Sequence, residues 1–328
     1  MPPAPIHRTP RHASHPRGRY APSPTGLIHL GNARTALAAW LSIRSRGGTF
    51  LWRLEDLDPP RVVPGMAALQ MEDLAWLGLD WDEGPDLGGP CAPYEQSRRS
   101  ALYEDALDRL ATAGRLFPCR RSRKDLASIA SAPHGLDGGA PYPASFRPAS
   151  LDPGWLEALR RMERPDAALR FRVDDRPVLW HDRVFGAREE RVDRTVGDFV
   201  LKRRDGLYAY QLAVVVDDLA MGIDEVVRGA DLLDSTARQI QLYEALGGTP
   251  PDWAHVPVVV NAAGEKLSKR DGGRTLRALR DSGVHPEAVV GELAASLGLV
   301  DRPDPCRPGD LVRDFTWEKV KKEPSVMP

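Results

Sequence analysis

The sequence predicts an α/β protein built on a parallel sheet, and three neighbouring segments carry this prediction. Gly18 to Ala21 has the pattern of a strand, and a turn rich in Pro and Gly follows it. Asn32 to Arg46 has the pattern of a helix, and Thr49 to Asp56 that of a second strand. Parallel strands need a crossover connection, so strand, helix and strand in this order indicate the start of a parallel sheet.

The first helix is predicted from its spacing. Leu37, Trp40 and Leu41 recur at intervals of three and four residues, which gives the helix an apolar face. Gly47-Gly48 after it is a typical C-terminal stop. The same spacing predicts further helices at Met66 to Leu77 and Ser97 to Ala113.

The pattern is interrupted after residue 115 and returns near residue 195. Gly and Pro clusters between them indicate an insertion into the sheet domain. Beyond it we predict a strand at Glu225 to Arg228, a helix at Ser235 to Leu246 and a late helix at Pro286 to Leu297. The predicted divisions are a disordered basic tail (1–17), the first half of the sheet domain (18–115), an inserted α+β subdomain (116–194), the second half (195–275) and a short helical C-terminal segment (276–328).

Composition excludes several classes of protein. The 45 Lys and Arg residues balance the 46 Asp and Glu residues, so any RNA contact must rest on local basic patches. Three widely spaced cysteines argue against a disulfide scaffold, and no apolar run is long enough to cross a bilayer. We therefore expect a cytoplasmic protein without a membrane partner. Candidate phosphate contacts are Arg98, Arg99, Arg120, Arg121 and Arg123.

The segment from Pro22 to Asn32 is suited to binding a nucleotide. Its two prolines stiffen the turn, and His29 can donate a hydrogen bond. Gly31 allows a flat base to approach the backbone, and Asn32 is expected to open a helix whose N–H groups attract an anion. The alternative is a loop that merely shapes a strand-to-helix turn.

The segment from Lys266 to Arg270 places three cations in a glycine-flanked loop. Such a loop can close over phosphates, where Lys269 would neutralise charge on the reacting α-phosphate and the departing pyrophosphate. A solvated basic surface is the alternative. The order of the two segments, at either end of one α/β body, favours the nucleotide site.

These segments resemble the two signature motifs of the class I aminoacyl-tRNA synthetases. Three further stretches resemble the glutamyl branch of that family: Arg19 to Gly26, Arg53 to Asp58 and Tyr210 to Asp218. The resemblance implies a Rossmann-type, HUP-like, doubly wound parallel sheet. It also implies an enzyme that joins L-glutamate to AMP as a mixed anhydride, with ATP as substrate and Mg²⁺ as its companion. We expect a monomer.

The resemblance also implies roles for individual residues. His29 and Lys269 would be catalytic. Arg19 and Arg228 could instead form ordinary ion pairs and Glu55 could be a partner of Arg53, while Asp217 and Asp218 are expected to cap or support the following turn. The predicted glutamate-binding residues are Arg19, Tyr20, Ala21, Pro22, Ser23, Glu55, Tyr210 and Arg228, and the predicted ATP-binding residues are His29, Gly31, Asn32, Lys266, Ser268 and Lys269.

The residues after Arg270 hold one modest helix, which is too little to build the anticodon-reading domains of a full glutamyl-tRNA synthetase. The chain therefore resembles the short paralogue family that activates glutamate without tRNA. That family attaches the activated glutamate to the queuosine base at the wobble position of tRNA(Asp). Its RNA partner would be the tRNA(Asp) anticodon loop, a single-stranded feature that proteins recognise well.

The inserted segment departs from that paralogue family, whose members often bind zinc through Cys-x-Cys and a later Tyr-x-x-x-Cys. Here the corresponding residues are Cys119-Arg120-Arg121 and Tyr142 to Phe146. Two of the three expected thiolates are absent, and the nearby His134 does not complete a four-ligand site. We therefore predict no bound zinc and no metal ligand, and we interpret Cys119 as a small buried residue.

Three other functions fit parts of the sequence. The closest is a truncated glutamyl-tRNA synthetase that charges tRNA(Glu). A nucleotidyltransferase of the same fold would share the His-x-Gly turn but lack the Tyr210 to Asp218 stretch. A decayed, non-enzymatic RNA-binding protein conflicts with the intact Arg19, Glu55, Arg228 and Lys269.

Overall fold

A computed structural model of the protein describes residues 15–121, 141–162, 165–260 and 275–326. Short 3₁₀ turns connect several of its elements. Its helices are α1 (Leu30–Arg44), α2 (Met66–Trp76), α3 (Ser100–Thr112), α4 (Trp155–Arg160), α5 (Val192–Thr195), α6 (Tyr210–Ala220), α7 (Thr236–Ala245), α8 (Leu276–Asp281), α9 (Pro286–Leu297) and α10 (Pro308–Leu311). Its strands are β1 (Arg17–Tyr20), β2 (Thr49–Trp52), β3 (Leu116–Cys119), β4 (Ala168–Phe171), β5 (Val178–Asp182), β6 (Gly186–Glu190), β7 (Phe199–Lys202), β8 (Glu225–Gly229), β9 (Asp252–Val256), β10 (Val259–Val260) and β11 (Ser325–Val326).

The central sheet has six strands within the described residues, in the order β2-β1-β8-β9-β5-β6. All neighbouring pairs are parallel except β5 and β6, which form an antiparallel hairpin at one edge. The order places β1 and β8 side by side, although most of the chain lies between them. Residues from distant parts of the sequence therefore meet at the carboxyl ends of the central strands.

Helices cover both faces of this sheet. In β8, Val226 packs into one apolar cluster with α3, α6 and α7, while its neighbour Val227 packs into a second cluster with α1, α2 and α9. Successive strand residues point to opposite faces, so this alternation means that both faces are buried. The predicted doubly wound parallel α/β fold is confirmed.

Helix α1 shows how local sequence sets element boundaries. It begins at Leu30, two residues before the predicted start, because the His29 side chain accepts a hydrogen bond from Asn32 N and caps the helix. It ends before Gly47, which has a φ of 63°. Gly48 N then donates to Ile43 O at 3.0 Å, so the predicted glycine stop is confirmed.

A smaller antiparallel sheet, β3-β4-β7, lies beside the central one. Its strand β7 lies outside residues 116–194, the range predicted as an insertion. The β5–β6 hairpin, which lies inside that range, instead extends the central sheet through β9. The division into domains stays a prediction, but the central sheet draws on both sides of residue 194.

The C-terminal residues pack against the sheet domain. Helix α9 has the predicted bounds and packs on α1. Trp317 Nε1 donates to Ser42 Oγ at 3.2 Å, and β11 pairs with β10 in parallel. No helix among the described residues is long and apolar enough to cross a membrane.

Candidate active site

A cavity of about 530 Å³ opens at the carboxyl ends of the central strands. Open parallel sheets typically bind ligands at this edge. All eight predicted glutamate-binding residues line the cavity, together with three of the residues predicted for ATP. The predicted residues in its wall are Arg19, Tyr20, Ala21, Pro22, Ser23, His29, Gly31, Asn32, Glu55, Tyr210 and Arg228.

The other predicted ATP-binding residues, Lys266, Ser268 and Lys269, lie outside the described residues. The described residues on either side of that stretch lie in the cavity wall or contact residues of that wall. Val259 lies in the cavity wall, and Thr275 forms a β-bridge with His29. Leu276 N also donates to Ile28 O at 2.8 Å. The described residues before and after this stretch therefore lie beside the segment from Pro22 to Asn32, the first one predicted to bind the nucleotide.

The turn after β1 is held from two sides. Glu55 N donates to Pro22 O at 3.0 Å, which fixes the chain after β2 against the turn. The buried Gln70 on α2 donates through Nε2 to Ser23 O at 3.1 Å and to Gly26 O at 2.7 Å. These bonds hold a non-repetitive loop in one conformation, as a preorganised ligand site requires.

His29 and Gly31 form the cavity wall at the start of α1. The imidazole accepts from Asn32 N at 3.3 Å through Nδ1, so its position is set by the helix that it caps. A Cβ at residue 31 would lie 3.0 Å from His29 Cε1. Glycine at this position therefore accommodates the imidazole, in addition to the predicted role of admitting a flat base.

Arg228, at the end of β8, is a buried cation held by neutral groups. Its Nε donates to His255 Nε2 at 2.9 Å, Nη1 to Gln239 Oε1 at 2.7 Å and Nη2 to Thr236 Oγ1 at 2.9 Å. A longer contact of 3.4 Å joins Nη1 to the Tyr210 hydroxyl. Burial lowers the pKa of Arg228. Among the described residues it forms no ion pair, so the predicted alternative of an ordinary structural salt bridge does not hold for Arg228.

Arg19 and Glu55 do take part in ion pairs. Arg19 Nε donates to Asp218 Oδ1 at 3.2 Å, and Arg53 donates to the same oxygen at 2.5 Å and to Glu55 Oε1 at 3.2 Å. The structural roles considered for Arg19 and Glu55 are therefore present, yet both residues also line the cavity. Burial raises the pKa of Glu55 against the opposing effect of Arg53 and Arg19.

The arginines beside the cavity differ in their partners. Arg19 and Arg53 pair with the carboxylates of Asp218 and Glu55, whereas the buried Arg228 forms no ion pair among the described residues. The other charged residues of the wall are the exposed Arg61 and Asp231. An uncompensated buried charge is costly, and a guanidinium binds a carboxylate through paired charge-assisted hydrogen bonds. The cavity is therefore suited to a ligand with a carboxylate group.

The side chains of Asp217 and Asp218 on α6 do not cap the following turn, and that prediction was wrong. Asp217 accepts from Arg99 Nε at 2.6 Å, Gln96 Nε2 at 2.7 Å and the Tyr103 hydroxyl at 2.9 Å. Asp218 accepts from Arg19, which lines the cavity, and from Arg53. Both carboxylates are buried and hold the segments that carry the site.

Sequence reasoning also missed five buried polar residues around the site. Two adjacent carboxylates in an apolar helix are a signal of buried cationic partners, since Asp is rarely buried alone. A histidine in an apolar strand is a weaker signal of the same kind. The missed residues are Gln70, Asp182, Thr236, Gln239 and His255.

Cys119 is a buried residue at the end of β3, as predicted. The Tyr142 hydroxyl donates to its sulfur at 3.4 Å, and the aromatic rings of Phe117 and Phe146 pack around Tyr142. Within the described ranges, which leave out 122–140, no group of three or more His, Cys, Asp or Glu side chains could hold a metal ion.

We expect protein purified without added metal to contain much less than one zinc ion per chain, as measured by plasma mass spectrometry. The reason is the incomplete ligand set at Cys119 and Tyr142. A Cys119→Ser variant should have the same metal content as the wild type. Stoichiometric zinc in the wild type would contradict this prediction.

Comparisons with known proteins identify relatives of the whole described chain. Residues 16–326 match the family model of class I tRNA synthetases (E and Q), catalytic domain. The chain is 49% identical to a glutamyl-Q tRNA(Asp) synthetase of Symbiobacterium thermophilum and 48% identical to one of Nitratidesulfovibrio vulgaris; in both pairs the match covers 95% of each protein. A crystal structure of a glutamate tRNA ligase from Elizabethkingia meningosepticum, in complex with its amino acid, superposes with a TM-score of 0.83 at 31% identity and covers 95% of this chain and 67% of that one. The chain therefore belongs to the class I tRNA synthetases, in the glutamyl-Q tRNA(Asp) synthetase family.

Proposed function

We propose that the protein activates L-glutamate with ATP, without tRNA, and transfers it to the queuosine base at the wobble position of tRNA(Asp). The observation that carries the choice of amino acid is Arg228, a buried guanidinium in the cavity wall whose hydrogen-bond partners among the described residues are all neutral. Near-complete coverage of two glutamyl-Q tRNA(Asp) synthetases supports the acceptor.

In the proposed complex, the side-chain carboxylate of glutamate faces Arg19, Tyr210 and Arg228. Its amino group lies near Ser23 and Glu55, with the backbone of residues 20–22 completing the wall. Glu55 is suited to an ammonium group because Arg53 already fixes its carboxylate at 3.2 Å. This orientation leaves the α-carboxylate directed toward the nucleotide.

ATP would lie between the 22–32 segment and the loop that contains Lys266, Ser268 and Lys269. An oxygen of the glutamate α-carboxylate attacks the α-phosphorus, the bond to the β-phosphate breaks, and pyrophosphate leaves. The attacking carboxylate is already ionised near pH 7, so no general base is needed. His29 and Lys269 would stabilise the charge that develops on the phosphates.

Mg²⁺ would enter with ATP, coordinated by phosphate oxygens, as is usual for this ion. The described residues hold no acidic cluster that would bind it alone. The chain's own contribution is to position the two substrates. We further propose that the protein acts in the cytoplasm as a monomer and receives the anticodon loop of tRNA(Asp) at this cavity.

We expect glutamate-dependent ATP–pyrophosphate exchange in the absence of tRNA. In the second step, labelled glutamate should transfer to tRNA(Asp) that carries queuosine, and not to unmodified tRNA(Asp). Removing the 3′-terminal adenosine should leave transfer unchanged, since the acceptor is the base. An Arg188→Ala variant, altered on an exposed edge strand, should match the wild type in the tRNA-free exchange step.

Different results would reject different parts of the proposal. Absence of exchange with glutamate would reject the activation step. Transfer to tRNA(Glu) alone would reject the acceptor and favour a short glutamyl-tRNA synthetase.

A further inference from the structure

Besides its amide and hydroxyl partners, Arg228 has a histidine partner, His255. Arg228 and His255 are register partners on the parallel strands β8 and β9, so their side chains lie side by side on one face. The 2.9 Å bond from Arg228 Nε to His255 Nε2 is buried, and no surface of His255 is exposed. The indole of Trp253 stacks on the imidazole with an interplanar angle of 15°.

His255 is in turn held by Asp182, the last residue of β5. Its Nδ1 lies 2.5 Å from Asp182 Oδ2. The other carboxylate oxygen accepts from Val184 N at 3.0 Å and Phe185 N at 2.9 Å. Burial alone would raise the pKa of Asp182, but the bond from His255 and the backbone N–H groups lower it overall. Asp182 is therefore a carboxylate in a fixed position that can only accept hydrogen bonds.

These neighbours determine which ring nitrogen carries hydrogen. A carboxylate only accepts, so Nδ1 carries the hydrogen; a guanidinium only donates, so Nε2 presents its lone pair to Arg228. A protonated imidazole would place N–H against N–H. Burial and the positive charge of Arg228 outweigh the carboxylates of Asp182 and Asp231 and hold the pKa of His255 at about 4. His255 is thus neutral near pH 7.

We propose that Asp182 and His255 form a positioning pair that keeps Arg228 available for an acidic substrate. His255 presents a neutral hydrogen-bond acceptor to the Arg228 guanidinium and so orients it. The stabilising carboxylate of Asp182 lies on the opposite side of the imidazole from Arg228. The proposal rests on the glutamate-activating function proposed above. It adds a specificity role for two residues that do not line the cavity.

The contrast with Arg53 supports this role. Arg53 contacts Asp218 and Glu55 directly, so its charge is already compensated. A carboxylate in direct contact with Arg228 would compensate it in the same way, and the pocket would lose its preference for a charged side chain over the amide of glutamine. The neutral imidazole avoids this, while its hydrogen bond still fixes the guanidinium plane.

Asp182→Asn tests the pair with almost no change in shape. The amide oxygen of Asn can keep the bonds from Val184 N and Phe185 N, while its NH₂ group faces His255 Nδ1. The imidazole must then carry its hydrogen on Nε2, against Arg228 Nε–H. Changes in groups that orient metal-binding side chains typically cost about 10- to 100-fold, and by analogy we expect KM for glutamate to rise by about that factor. KM for ATP should change by less than about twofold, and discrimination against glutamine should fall.

Replacing the histidine separates positioning from simple structural support. In the Asp182→Asn, His255→Gln double variant, the glutamine amide oxygen can face Arg228 without help from residue 182. We expect the double variant to recover part of the glutamate KM lost in Asp182→Asn. His255→Leu, which offers no acceptor, should show the Asp182→Asn defect. ¹⁵N NMR of the imidazole should report hydrogen on Nδ1 in the wild type and on Nε2 in Asp182→Asn.

Four results would each overturn the positioning role. The first two are an unchanged glutamate KM in Asp182→Asn and a parallel change of both KM values and kcat in that variant. The others are no recovery in the double variant and a wild-type imidazole that carries its hydrogen on Nε2. A wild type that exchanges pyrophosphate normally would leave the proposed function standing in those cases. A wild type without glutamate-dependent exchange would instead reject that function and the role of the pair with it.

Discussion

Replacement of Arg228 by alanine is expected to lower kcat/KM for glutamate in ATP–pyrophosphate exchange by roughly 150- to 4,000-fold. The variant would leave the substrate carboxylate beside the remaining Arg19, whose charge is shared with Asp218. Removing one partner of a buried ion pair costs about 3 to 5 kcal/mol, which corresponds to this loss. Initial rates over a range of glutamate concentrations, with ATP saturating, measure the effect.

The same variant should discriminate poorly between glutamate and glutamine. In the wild type, a glutamine amide would leave a guanidinium N–H unpaired, so rejection by about 10²-fold or more is expected. Arg228→Lys keeps the charge but loses the planar pair of N–H groups and the bond to His255. Its discrimination between glutamate and glutamine should therefore lie between that of the wild type and that of Arg228→Ala. Unchanged glutamate activation and unchanged glutamine rejection in Arg228→Ala would show that the pocket has been wrongly identified.

The parts of this molecule that are set by local chemistry could be predicted from sequence. The glycine stop after α1 and the bounds of α9 follow from nearby residues, and both are confirmed. The predicted site residues of the described chain line one cavity because their motifs follow strands whose ends meet, although their individual roles stay predictions. The valine-rich run in Tyr210–Ala220 was less informative, since a short apolar run does not distinguish strand from helix.

The parts that depend on pairing between distant segments could not be predicted. Nothing near residues 178–190 indicates that this hairpin joins the central sheet beside β9. Without that pairing, Asp182 has no visible connection to His255, nor His255 to Arg228. The alternation of apolar residues assigns a face but no partner strand, so the buried polar network emerges only from the assembled sheet.

Replacement of Asp218 by asparagine is expected to destabilise the fold by about 3 to 5 kcal/mol, because it removes a buried carboxylate shared by two arginines. Its Oδ1 accepts from Arg19 at 3.2 Å and from Arg53 at 2.5 Å, and Oδ2 accepts from the Tyr243 hydroxyl at 3.2 Å. Asparagine has nearly the same shape, so lost charge rather than a cavity causes the effect. Urea titration followed by tryptophan fluorescence measures the free energy of unfolding.

The pH dependence of stability gives an independent test of Asp218. Burial would raise the pKa of this carboxyl, but the charges of Arg53 and Arg19 lower it overall. Its contribution is therefore complete above the unfolded-state value of about 4 and is lost as the pH falls toward the lower native pKa. Stability should fall less steeply in acid for Asp218→Asn than for the wild type. Asp301→Asn, altered at an exposed site, should stay within about 0.5 kcal/mol of the wild type. Wild-type stability and an unchanged acid slope in Asp218→Asn would mean that Arg19 and Arg53 are held without this carboxylate, and the contrast drawn between these paired arginines and Arg228 would be wrong.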